Sequence, residues 1–266
     1  MGLKLRLLIL SLSLSLCAGC AVNPITGEEE FMILSEDQDV QIGQAYAPEI
    51  EKQMGGRIDN QDLQDYINHI GQKIVLVSHR RSFEYHFTAL NDKSVNALAL
   101  PGGYVYITKG MLEKLTTEAQ LAAVLGHEVA HIVARDVAAL MSREIGIDIL
   151  LAAATPRKTS RGVLVARDLT RQILGLRFSR KDERDADMGG LEYMVRAGYN
   201  PYGMVETMQM LQKLQQTRPV EFFSTHPNPE NRVAYLTEEI EYNYPNPERL
   251  NVGKNDYYTN VLSSLK

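Results

Sequence analysis

Apolar positions recur at helical spacing along most of the chain and switch once to a period of two. Ser35-x-x-Gln38 is a capping box and predicts a helix that ends near Gly55-Gly56. Asn60 caps a second helix, with Leu63, Ile67, Ile70 and Ile74 as one buried stripe. His69 lies beside that stripe. His79, with Arg80 and Arg81, falls in the following loop, and both histidines read as structural or solvated. The period then changes: Phe83, Tyr85, Phe87 and Ala89 alternate with Glu84, His86 and Thr88, the pattern of a half-buried strand with His86 on its polar face. Val95 to Leu100, the turn Pro101-Gly102-Gly103, and Tyr104 to Thr108 continue as a hairpin or small meander. Asn96 to Leu100 is an expected sheet edge, to which an extended peptide can add as a further strand.

Thr117-x-x-Gln120 opens the next helix, whose periodic positions are Leu121, Val124, Leu125, Val129 and Ile132. It carries His127, Glu128 and His131. Gly126 costs about 1 kcal/mol against Ala in a helix, so a neighbouring element is expected to come close there. Ile145 to Ala154 is an apolar run too short to span a bilayer and reads as a buried or interfacial helix. A polar, basic break from Thr155 to Arg161 and a helix from Val163 to Leu176 follow. Ser179-x-x-Asp182 then opens a helix to about Gly198, carrying Glu183, Asp185 and Asp187. Asn200-Pro201 stops it and starts another, to about Gln216. A rigid polar loop, Phe222 to Pro227, holds His226, and Asn228-Pro229 begins a helix through Arg232 and Leu236. The fold class is α+β, mainly helical, with one small sheet.

Composition narrows the function. The 266 residues are 44% hydrophobic and 23% charged, enough for a sizeable core, and the net charge of −5 gives no basic footprint for nucleic acid. The N-terminus reads as an export signal, with Lys4 and Arg6 before an apolar Leu7 to Leu16. Ala18-Gly19 before Cys20 resembles a bacterial lipobox, in which that cysteine becomes the lipid-bearing first residue. Cys17 stands where Leu is usual, and ordinary cleavage is the alternative. Residues 1–19 are thus read as a lipoprotein signal peptide, 20–34 as a tether and 35–266 as one domain. Lipid on Cys20 would hold the protein at a membrane surface without spanning it. Ala21 is no inner-membrane retention signal, so the periplasmic face of an outer membrane is expected. Both cysteines lie in this segment, so the mature domain has no disulfide.

His127-Glu128-x-x-His131 sets two imidazoles on one helix face, where they can aim at one point as half of a zinc site. A catalytic zinc needs a third protein ligand. Ala134 and Val137 stand where the pattern H-x-x-G-x-x-H would have Gly and His, so the third ligand is not there. Glu183 fits, because Asp187 shares its helix face and can accept the outer N–H of a ligand histidine.

Asn96 to Gly103, Gly126 to His131, Ser179-Arg180-x-x-Glu183-x-Asp185-Ala186-Asp187 and Ser224-Thr225-His226-Pro227 together resemble the HtpX/BepA/LoiP-like zinc metallopeptidases. These are gluzincins related to the CAAX prenyl proteases, and the likeness is to their lipid-anchored envelope branch. The E-x-D-A-D form departs from the family's usual E-x-E-A-D. The resemblance implies a gluzincin fold whose edge strand lines the cleft, one Zn2+ per chain on His127, His131 and Glu183, and Glu128 as catalytic base. It implies a role near the metal for Asp187, as orienting partner or proton donor, and for His226, as oxyanion stabiliser or inhibitory ligand. The expected activity is peptide hydrolysis in envelope protein quality control, on unfolded or misassembled proteins. The alternative is a latent protease acting mainly as a chaperone or scaffold for outer-membrane protein assembly.

Overall fold

The computed structural model describes residues 20–144, 175–227 and 231–265. The readings of the leader, of residues 145–174 and of Asn228-Pro229 lie outside them. Residues 20–34, read as a tether, instead form a hairpin of β1 (Cys20–Val22) and β2 (Glu29–Phe31), paired antiparallel with Cys20 opposite Phe31. The turn signals Asn23-Pro24 and Gly27 close it: Gly27 N–H donates to Asn23 O, and Gly27 sits at a φ of 75°. Asn23 and Met32 are buried beneath the hairpin, which is why this polar stretch is part of the folded body.

The helices α1 (Glu36–Gln53) and α2 (Gln61–Val75) begin at the predicted caps, with reciprocal Ser35–Gln38 bonds and an Asn60 side chain that accepts from Leu63 N–H. Strands β3 (His86–Leu90), β4 (Ala97–Leu100) and β5 (Tyr104–Thr108) form one sheet in the order β3-β5-β4. β4 and β5 are the expected hairpin. β3, however, pairs in parallel with β5, so the sheet is not a meander. Thr108 explains the crossing: its Oγ donates to Ser94 O at 2.6 Å and accepts from Asn96 N–H at 3.1 Å, carrying the link past the end of β5.

The sheet is covered on both faces. Leu90, Leu98, Leu100 and Tyr106 pack against Ala47 and Ile50 of α1, while Phe87, Ala89, Ala97 and Val105 face the main core. The polar-out alternation therefore fails at Thr88, which is buried. The outer edge of β3 is closed by a short antiparallel bridge, Arg57 to Leu90, and by a side chain: the Gln64 amide accepts from Ala89 N–H and donates to Ala89 O, each at 2.9 Å. β4 is left as the edge beside the next helix.

That helix, α3 (Glu118–Ala134), is buried at every position and is the centre of the core. Thr117 caps it, but the box is not reciprocal, because Gln120 Oε1 accepts from Thr116 N–H instead. Arg135 ends it in the left-handed region at a φ of 61°, and residues 136–144 run on as a further helix. The other long helices among the described residues are α4 (Arg180–Arg196), α5 (Tyr202–Gln215) and α6 (Arg232–Asn243). No helix among the described residues is long and apolar enough to cross a membrane.

α3 and α4 cross at the predicted point of close approach. A Cβ on Gly126 would stand 2.9 Å from Gly190 O, and one on Gly190 would stand 2.7 Å from His127 N. Gly190→Ala gains up to about 1 kcal/mol of helix propensity but must push two backbones apart, which costs about 1–3 kcal/mol. A net fall in thermal stability is expected, with weaker metal binding as α4 moves from α3. Gly175→Ala meets nothing within 4 Å and serves as the control in calorimetry.

Candidate metal centre

Three elements deliver four donor atoms to one point. α3 supplies His127 and His131, whose Nε2 atoms are 3.1 Å apart. The first turn of α4 supplies Glu183, held by the reciprocal Ser179–Asp182 cap. Its carboxylate lies 3.6 Å from His127 Nε2 and 3.5 Å from His131 Nε2. The short helical turn Phe222–Thr225 ends at His226, whose Nδ1 is 2.8 Å from Glu183 Oε1 and 3.4 Å from His127 Nε2. All four donors lie within 4.8 Å of one another, and all four residues are buried.

The outer nitrogens of the α3 histidines explain the inner ones. His127 Nδ1 lies 3.1 Å from Asp187 Oδ1, and His131 Nδ1 lies 2.6 Å from Asp136 Oδ2. A carboxylate at Nδ1 holds the proton on that side and turns both Nε2 lone pairs inward. Two lone pairs 3.1 Å apart repel unless a proton or a cation is shared between them. Imidazole and carboxylate donors suit a first-row metal ion, so the residues fit such a group. Burial disfavours a charged His131, yet Asp136 and Glu183 outweigh it and push its pKa up to about 10. At His127 burial wins and lowers the pKa. Glu183 is buried too, but His226 and His131 hold it well below the usual carboxylate range. Asp136 is pushed up to about 6 by burial.

Glu128 has both carboxylate oxygens buried without a hydrogen-bond partner among the described residues, with Oε1 3.7 Å from His226 Nε2. A buried, unpaired carboxylate is costly unless something polar is placed against it. It is thus positioned to accept a proton from a group entering the site.

Sequence reasoning brought His127, Glu128, His131, Glu183, Asp187 and His226 forward, and all six meet here. It passed over Arg232, which is fully buried. The Arg232 Nε donates to Asp187 Oδ2 at 2.7 Å, and Nη1 donates to Glu183 Oε2 at 3.1 Å. Tyr235 OH also donates to Asp187. Burial raises the Asp187 pKa, but Arg232 outweighs it and the net shift is down, so this carboxyl is ionised and acts as an acceptor. A signal was available: Arg232, Leu236 and Ile240 share one face of α6, and a charge on an apolar stripe marks a buried ion pair. Asp136 left no such trace, because the left-handed turn at Arg135 brings it under His131.

Aromatic rings frame the donors. Phe178 stacks on His131 at 4.0 Å and Phe222 on His226 at 4.3 Å. Phe178 N–H also donates to Thr225 O at 3.1 Å, tying the two loops together. Between these rings and the β4 edge runs a cleft lined by Asn96, Leu98, Ala99, Val137, Leu176 and His226.

Comparison with known proteins agrees with this geometry. The chain is 31% identical over 225 residues to the beta-barrel assembly-enhancing protease of Escherichia coli K12, covering 79% of this chain and 45% of that protein. It is 29% identical over 221 residues to the mitochondrial metalloendopeptidase OMA1 of Schizosaccharomyces pombe, covering 81% of this chain and 65% of that one. It is 25% identical over 151 residues to the metalloprotease LoiP of Escherichia coli K12, covering 56% of this chain and 60% of that one. The chain spans about half the length of the first of these relatives. The family model for Peptidase family M48 matches residues 59–240, a span that holds all four metal donors, Glu128 and Arg232, and the chain belongs to that family.

Proposed function

We propose that the protein is a zinc-dependent endopeptidase of the bacterial cell envelope, anchored by lipid on Cys20 at the periplasmic face of the outer membrane. Its substrates are unfolded or misassembled envelope proteins. The observation that carries the reading is the pair of inward Nε2 atoms 3.1 Å apart, joined by Glu183 and bordered by the unpartnered Glu128. His127, His131 and Glu183 would hold the zinc. When bound, zinc polarises a peptide carbonyl and lowers the pKa of water to about 7. Glu128 takes a proton from the attacking water and returns it to the leaving amine. Asp187 orients His127, and the Arg232 guanidinium keeps it ionised, which favours this role over proton donation. The β4 edge holds the substrate strand extended beside His131. The envelope setting is supported by the relatives named for β-barrel assembly and by the lipobox-like leader.

His226 lies among the donors, and as a fourth ligand it would close the open position and make this conformation a latent one. Its Nδ1 contact with Glu183 and the stacked Phe222 favour the inhibitory reading over oxyanion stabilisation. The same closure supports the second reading, a protein that binds client strands at β4 and cuts rarely.

Three outcomes are expected. Glu128→Gln keeps fold and metal by calorimetry and elemental analysis, but casein cleavage falls at least about a hundredfold, the size of a general base's contribution; full activity would sink the mechanism. His226→Ala keeps the metal and raises casein cleavage; a fall with metal retained would assign it to transition-state stabilisation instead. Metal loading near neutral pH expels about one proton, because His131, with its pKa at about 10, is charged in the metal-free protein. Affinity should therefore rise about tenfold per pH unit. Titration calorimetry in buffers of different ionisation enthalpy measures the proton count.

A further inference from the structure

The N-terminal hairpin has two unlike faces. Ala21, Asn23, Glu30 and Met32 turn inward and are buried or half-buried, while Cys20, Val22, Glu29, Phe31 and Ile33 turn outward. Among the described residues seven large apolar side chains are exposed, and three of them are Val22 at 60%, Phe31 at 45% and Ile33 at 39%. The strand register sets Phe31 directly opposite Cys20, so this apolar patch surrounds the residue read as lipid-bearing.

The hairpin is fastened to the body by its inner face. Ile33 N–H donates to Ser142 Oγ at 3.1 Å, Arg135 donates to Leu34 O at 2.8 Å, and Met32 packs with Ala138 and Ala139. Ile25 lies against Gly189 of α4. Two of the three consecutive acids are engaged away from the outer face: Glu28 pairs with Lys181 at 3.0 Å, and Glu30 accepts from Asn23 at 3.1 Å. Cys20 therefore connects to the peptidase body through folded chain.

We propose that the outer face of this hairpin, Val22, Phe31 and Ile33 around Cys20, beds into a lipid surface and holds the body against the bilayer in one orientation. The proposal rests on the reading of Cys20 as the lipid-bearing residue. The occupant is a lipid surface because the face is apolar around an anchored residue, and a zwitterionic one because Glu29 is the one charged residue among Cys20, Val22, Glu29, Phe31 and Ile33. The cleft lies close by. Helix 136–144 presents Val137 to the cleft and Ala138 and Ala139 to the hairpin, so about one helix diameter of 10 Å separates the two. A substrate strand would then be taken close to the membrane surface.

The chain has no tryptophan, so Phe31→Trp introduces a single reporter. The lipidated full chain is mixed with phosphatidylcholine vesicles made with or without brominated acyl chains and floated on a density gradient. Val22→Trp reads the same face, and Tyr242→Trp, exposed on α6, reads background. The expected result is co-flotation with about twofold lower emission at positions 31 and 22 in brominated vesicles, as for side chains seated at the acyl boundary, and none at 242. Co-flotation with unquenched emission at 31 and 22, or equal quenching at 242, overturns the docking face. Failure to float overturns the lipid reading of Cys20 and with it the basis of the proposal.

Discussion

Everything in this molecule depends on two imidazole Nε2 atoms being forced to within 3.1 Å of each other. Two lone pairs there would repel, so a proton or a cation must sit between them, and carboxylates behind the rings support it: Asp187 at His127, and Asp136 at His131. Each of those carboxylates is buried and would be costly unpaired. The Arg232 guanidinium meets that cost for Asp187 and Glu183 together. The candidate metal centre is therefore the inner layer of a buried charge network whose outer layer comes from Asp136 and from Arg232 on α6.

Such a network needs backbones closer than side chains usually allow. Glu183 reaches the donors on α3 only because Gly126 and Gly190 let α3 and α4 touch. The burial of all of α3 follows, since the sheet, α2, α4 and α5 all pack around it. Its sequence looks amphipathic because His127, Glu128 and His131 interrupt the apolar run, but those residues face a charged interior instead of water.

The caps, the helix stops, the β4–β5 hairpin and the His127–His131 pair could be read from the chain because each rests on local chemistry at fixed spacing, whereas Glu183 and His226 were singled out by the family resemblance. Ser35, Asn60 and Ser179 cap where a side-chain oxygen can reach the N3 amide. What escaped was non-local. The parallel partner of β3 depends on Thr108 gathering a link from another segment. The folding of residues 20–34 depends on Met32 finding Ala138 and Ala139 across more than a hundred residues. Asp136 serves His131 only because one residue takes a left-handed turn.

Gln64 has a consequence beyond the sheet it touches. An open sheet normally offers two sides for strand addition, and that is how folded proteins polymerise edge to edge. Here the Gln64 amide imitates a neighbouring strand on β3, donating and accepting at Ala89 as a peptide unit would. Together with the Arg57–Leu90 bridge it closes that side of the sheet, and β4 is the edge left among the described residues. A strand that pairs with β4 therefore meets no second free edge on the far side of this sheet among the described residues.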